Sequence, residues 1–138
     1  MKKNSLVIGL VSAALVALLV LNLYATEGIR QVPVHFKKGA SQATLKGHIK
    51  GRETIDYVLR ARAGQTMTVN LKSSHTGAYF NVLPPGSDNE AIFIGQVAGS
   101  NFEGKLPKDG DYTIRVYLVR AAARRNESAK YTLTVKVI

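Results

Sequence analysis

The residues whose type and spacing carry the most chemical meaning in this chain are arginines. Arg120 and Arg124 stand four apart with Ala121, Ala122 and Ala123 between them, Arg125 follows directly, and Arg115 precedes them. If this segment is helical, Arg120 and Arg124 project from one face, because residues four apart are neighbours on a helix. The small alanines then let that face approach another surface closely. A guanidinium stays charged and presents a planar fork that meets a carboxylate through two parallel hydrogen bonds. The cluster therefore points to recognition of an acidic group. A solvated basic loop, offset in part by Glu127, is the plainer alternative, and composition alone favours it.

The other chemistry-bearing residues point away from catalysis. With no Cys there is no thiolate nucleophile and no soft metal site. His35, His48 and His75 have no metal-ligand spacing, such as two His four apart on a helix, and no metal or cofactor is expected. No Gly-x-Ser-x-Gly elbow occurs, and no glycine-rich loop opens a helix that could hold phosphate. Glu53 with Asp56, and Asp109 with Asp111 around Gly110, read as turn chemistry, since Asp beside Gly favours hairpin connections. Nothing suggests a pocket that would raise one carboxyl pKa against another, so no enzyme is expected.

The elements that must position the arginines are strands. Apolar residues alternate with a period near two over Val32–Phe36, Ala43–Ile49, Ile55–Ala61, Met67–Leu71, Tyr79–Leu83, Tyr112–Leu118 and Tyr131–Val137. Turn residues separate them at Lys37-Lys38-Gly39, Lys50-Gly51, Ala63-Gly64-Gln65 and Pro84-Pro85-Gly86. Short strands at turn-punctuated intervals predict an all-β protein, an antiparallel β-sandwich. The one helical candidate after residue 25 is a short turn over Arg120–Arg125, in the connection before the last strand. Residues 86–104 are rich in Gly and Asn, with a short apolar run over Ala91–Ile94, and 87–102 receives no site assignment.

Ahead of these strands, Lys2 and Lys3 precede an apolar run from Leu6 to Leu23, the pattern of an export signal. The expected organisation is residues 1–25 as a signal peptide, cut after Ala25, and 26–138 as one domain. The run also nears the roughly 20 residues that span a bilayer, so an uncleaved N-terminal anchor is the alternative. Without Lys2 and Lys3, 17 basic and 9 acidic residues remain, a net charge of +8. That excess favours an acidic partner: a carboxylate-lined cleft, an anionic polymer or a membrane surface. Nucleic acid is not expected, because Tyr57, Tyr79, Phe80, Tyr112, Tyr117 and Tyr131 fall in strand patterns and form no stacking groove.

Taken in order, Val34-His35-Phe36-Lys37-Lys38-Gly39, Gly47-His48-Ile49-Lys50-Gly51, Ala63-Gly64-Gln65, Pro84-Pro85-Gly86, Gly110–Val116, Arg120–Asn126 and Lys130-Tyr131 resemble the periplasmic inhibitors of goose-type (g-type) lysozyme. The resemblance covers nearly all of residues 26–138 and is most specific in the arginine-bearing connection and its flanking strands. It implies a β-sandwich that plugs the substrate cleft of a muramidase, with Arg120 and Arg124 entering the cleft toward the catalytic carboxylate. Arg125 and Arg115, from the same cluster, are the further candidates to support them. Family members carry an aromatic contact just after the Lys-Gly turn, where this chain has Arg52, which would substitute a charge contact or contribute nothing. The implied place is the periplasm, with contact to the membrane only through an uncleaved N-terminal segment. A module that binds peptidoglycan or another anionic glycan through the same basic surface is the competing reading.

Overall fold

A computed structural model describes residues 28–87 and 90–138; the expected signal segment 1–25 lies outside the described residues. Among the described residues, nine strands form two layers. Five belong to one sheet: β1 (Ile29–Pro33), β3 (Thr54–Ala61), β5 (Ala78–Leu83), β6 (Phe93–Ile94) and β8 (Gly110–Leu118), in the order β1-β3-β8-β5-β6. The second sheet holds β2 (Gln42–Lys50), β4 (Thr66–Ser73), β7 (Asn101–Lys105) and β9 (Ser128–Val137), in the order β2-β9-β4-β7. Among the described residues, two short helices, α1 (Gly95–Ala98) and α2 (Arg120–Arg124), interrupt the strands. The all-β sandwich expected from the alternation is present, with the helical turn where the alanines and arginines stand.

The period-two pattern sends alternate residues into the space between the sheets. On β9, Ala129, Tyr131, Leu133, Val135 and Val137 are buried, while the intervening residues face outward. Opposite them lie Tyr112, Ile114 and Val116 of β8, Ile55, Tyr57 and Leu59 of β3, and Phe80 and Val82 of β5. Among the described residues, the buried core runs from Val34 to Val137, with Val32 packed against it. One polar link crosses the core. The Tyr57 and Tyr131 hydroxyls share a hydrogen bond of 2.6 Å, and their rings meet edge to face. Gly47, paired with Tyr131 across the β2–β9 ladder, makes this possible, since a Cβ there would sit 2.3 Å from the Tyr131 ring.

The structure departs from the expected strands at three points. The first strand covers Ile29–Pro33 and runs parallel to β3, because the chain crosses to the other sheet over the next residues. Only one ladder bond continues past it, from Val34 N–H to the Val58 carbonyl. Strand β7 overlaps the Gly- and Asn-containing stretch 86–104, where no strand is expected. It buries one large side chain, Phe102, whose ring covers Gly104, so no alternation shows in the sequence. Within Ala91–Ile94, only Phe93 turns inward, stacked 5.0 Å from Phe80, and the strand there is two residues long.

Candidate functional site: an arginine-rimmed groove

Strands β3, β8 and β5 present their outward residues to a single open groove of about 630 Å³ at one end of the five-stranded sheet. Thr54, Arg115, Tyr117 and Asn81 form its floor, and Arg52, Arg120 and Arg124 stand around it. Register explains the floor. Asp56 of β3, Arg115 of β8 and Asn81 of β5 are consecutive partners across the sheet and share its outer side. The Tyr117 hydroxyl donates to Asn81 Oδ1 at 2.9 Å, and the Gly95 N–H at the start of α1 reaches the same oxygen. Burial pushes the Tyr117 phenol above its ordinary pKa, so it remains a neutral donor in the floor.

Arg115 belongs to that floor as half of an ion pair. Its Nε and Nη2 donate to the two carboxylate oxygens of Asp56 at 2.7 and 2.8 Å. Asp56 is 3 % exposed and is the one buried charged residue among the described residues. Reading Asp56 as turn chemistry beside Glu53 is therefore corrected: it sits inside strand β3, directly opposite Arg115. Glu53 does serve the turn, accepting the Lys50 N–H. Asp109 accepts the Ala63 N–H between loops, as a turn carboxylate should, whereas Asp111 approaches Arg60 across two exposed strand ends.

The arginine-bearing connection is held by a helix-terminating motif. Asn126 adopts a left-handed φ of 55°, the conformation that ends helices, and it is the one non-glycine with positive φ among the described residues. Its N–H reaches the Ala123 carbonyl and the Glu127 N–H reaches that of Ala122, the paired bonds of a Schellman ending. Ala122 is buried against the core, anchoring the single turn, and Arg120 and Arg124 project from it into the groove. The Val119 N–H bonds the Gly77 carbonyl at the other end. Gly51 donates to the Glu127 carbonyl at 2.8 Å, and a Cβ at Gly51 would meet Asn126 Oδ1 at 2.5 Å. The turn that carries Arg52 is thus locked to the connection that carries Arg120 and Arg124.

Arg125 is placed differently. It is absent from the groove lining and binds Glu127 Oε2 through Nε at 2.6 Å. The other Glu127 oxygen bonds His75 Nε2 at 2.8 Å, while His75 Nδ1 accepts the Gly77 N–H. That pattern puts the imidazole proton on Nε2. The hydrogen bond from Arg125, joined by that from His75, draws the Glu127 carboxyl down to about 2. His75, a plain loop histidine on sequence grounds, therefore steadies the end of the arginine connection. Gly77 lets the ring approach this closely, since a Cβ there would lie 3.0 Å from His75 Cε1.

The result is a sorted set of arginines. Asp56 answers Arg115, Glu127 answers Arg125, and Asp111 lies 3.9 Å from Arg60. Among the described residues, Arg30 and Arg62 have no ion-pair partner and lie away from this groove, and Arg52, Arg120 and Arg124 have neither an acidic partner nor a side-chain hydrogen bond. These last three share one groove. No group of three or more His, Cys, Asp or Glu that could hold a metal occurs among the described residues.

An inhibitor of g-type lysozyme from Escherichia coli K12 is 32 % identical over 111 residues, covering 78 % of this chain and 81 % of that protein. The chain belongs to the g-type lysozyme inhibitor family. Its fold agrees with crystal structures of other family members. The periplasmic g-type lysozyme inhibitor of Aeromonas hydrophila matches with a TM-score of 0.76 and 44 % identity, over 80 % of this chain and 98 % of that one. The Salmonella Typhimurium inhibitor matches at 0.62 and 29 %, over 79 % and 98 %. A pre-peptidase C-terminal domain of a Bacillus anthracis collagenase, 20 % identical, shares the sandwich alone. No family model matches the chain. The relatives are inhibitors and not enzymes, and the solved ones are periplasmic, as the resemblance implied.

Proposed function

We propose that the protein is an exported inhibitor of g-type lysozyme that occludes the enzyme's substrate cleft with Arg120 and Arg124. The observation that carries this reading is the sorting of charge. The arginines beside the rim, Arg115 and Arg125, have carboxylates of their own, whereas Arg52, Arg120 and Arg124 are left unmatched around it. Muramidase clefts carry the carboxylates that perform glycoside hydrolysis. A guanidinium fork meeting such a group in a closed interface is the desolvated, charge-assisted contact that concentrates binding energy.

In this reading Arg120 and Arg124 contact the cleft acid, and Arg52 adds a charge contact from the adjoining turn. Arg115 acts as the rigid floor behind them, and Arg125 holds the connection through Glu127. Rigidity matters because side chains ordered before docking lose less entropy on binding. Residues 1–25 serve as the export signal, delivering the domain to the periplasm, where it shields peptidoglycan from an invading muramidase.

The test is inhibition of a g-type lysozyme by purified residues 26–138, with Arg120→Ala, Arg124→Ala and the double variant alongside. Inhibition by the wild type, lost in the double variant with unchanged melting temperature, is the expected result. Unchanged inhibition in the double variant overturns the mechanism, and no inhibition by the wild type overturns the function. Pull-down on purified peptidoglycan in the absence of lysozyme would instead favour the glycan-binding reading.

A further inference from the structure

The opposite side of the sandwich carries a second basic surface of another kind. Strands β2, β9, β4 and β7 turn Lys46, Lys50, Lys130, Lys136, Lys72 and Lys105 outward, against one carboxylate, Glu103. Between them stand Thr44, Thr66, Thr68, Thr132 and Thr134, in rows such as Lys46–Thr132–Lys72 and Gln42–Lys136–Thr68. None of the six ammonium groups has an ion-pair partner among the described residues, and no Phe or Tyr points to this side. Strand spacing makes the face roughly 30 Å by 15 Å. Lys46, Lys72 and Lys130 border a shallow depression that also includes Arg30, His48 and one carboxylate, Glu53, so the first described strand enters at the rim of this face.

We propose that this lysine–threonine face rests on an anionic phospholipid surface. Ammonium groups are compact point charges on flexible stems and suit mobile headgroup phosphates, which present no fixed fork geometry. The imidazole of His48 is the one aromatic ring that these strands expose on the face, Tyr131 at the depression being 4 % exposed, and no apolar side chain stands there to insert, so a charged, laterally mobile surface fits it better than a glycan chain. Four residues lie between Leu23, the end of the apolar run, and Gly28, which leads into the strand at the rim. Docking this face directs the opposite sheet, with the arginine groove, into the aqueous space. The inference is independent of lysozyme binding.

The experiment is co-sedimentation of residues 26–138 with vesicles, a fragment that contains every described core residue and lacks the apolar run. Vesicles of equal parts phosphatidylcholine and phosphatidylglycerol are compared with pure phosphatidylcholine, at low and high salt. Binding to the anionic vesicles alone, reversed by salt, is expected. Lys46→Gln/Lys72→Gln/Lys130→Gln is expected to lower the partition coefficient roughly 100-fold, a few-fold for each lysine near the surface. The corresponding triple Lys→Arg variant, which keeps the charge, and Arg120→Ala/Arg124→Ala are expected to retain binding. Absence of binding to anionic vesicles, or undiminished binding by the glutamine variant, overturns the proposal. Lysine-dependent binding to peptidoglycan sacculi without vesicle binding overturns it in favour of a glycan.

Discussion

The two outer faces of this sandwich are both basic, yet they use charge in opposite ways. On the five-stranded sheet, arginines surround a groove, their backbones are pinned by the Asn126 ending and the Gly51 contact, and the neighbouring arginines are neutralised. On the four-stranded sheet, lysines are spread over a flat field of threonines with no fixed partners. The first arrangement holds a few donors in a defined geometry, which suits one buried carboxylate. The second supplies a field that acts on any extended anionic surface and fades with salt. Net charge alone, +8 for residues 26–138, does not separate them.

The largest effect that tests this contrast is truncation in the groove. Arg120→Ala or Arg124→Ala should weaken lysozyme inhibition by on the order of 2–5 kcal/mol, since the partner carboxylate is left buried and unpaired. Removing Lys46 or Lys130 should leave the inhibition constant unchanged, and equal losses from both faces would erase the contrast. Next comes the floor. Asp56→Ala leaves the Arg115 guanidinium without its bidentate partner and should destabilise the fold by about 3 kcal/mol, lowering Tm by on the order of 10 °C. Urea unfolding checks it, and an unaltered midpoint would show that the pair is ornamental.

A smaller change sharpens the comparison further. Arg124→Lys keeps the charge but loses the fork, so inhibition should weaken by about 1–2 kcal/mol. Lysine-to-arginine exchange on the opposite face should be neutral for vesicle binding. A titration of inhibition with each variant separates fork geometry from bare charge.

The smallest effect is in pH. Glu127 has its carboxyl drawn down to about 2 from an ordinary 4.5, so the ionised form is favoured in the folded state. Its contribution is then complete above about 4.5 and disappears as the pH falls toward 2. Wild type should exceed Glu127→Gln in unfolding free energy at neutral pH, and the two curves should converge at the acid end. Glu127 is solvent-screened, so the gap is modest. Parallel curves down to the acid limit would remove Glu127 from the account of how the connection is held.

Strands with strict alternation were legible because a half-buried strand writes its burial into the chain with period two. Strand β9, from Ala129 to Val137, is the clearest case. Strand β7 was not legible, since Phe102 is its only large inward residue, and the parallel direction of β1 follows from a crossover that no local pattern encodes. In the site, Arg120 and Arg124 could be paired by helical spacing alone. Arg52 was set beside them only by the family resemblance; what brings its turn to them, some seventy residues along the chain, is Gly51 docking under Asn126.

By itself the sequence determined the all-β class, the absence of thiol chemistry, the excess of positive charge and the one place where arginines recur at helical spacing. These properties are local or compositional, and they survive without knowledge of which strands are neighbours. Tertiary structure alone decided which arginines remain available. Asp56 meets Arg115 across 59 residues, and His75 meets Glu127 across 52, only because strand pairing brings distant segments side by side. Charge neutralisation depends on distances of a few ångströms, and in this sandwich such distances are set by register rather than by proximity along the chain.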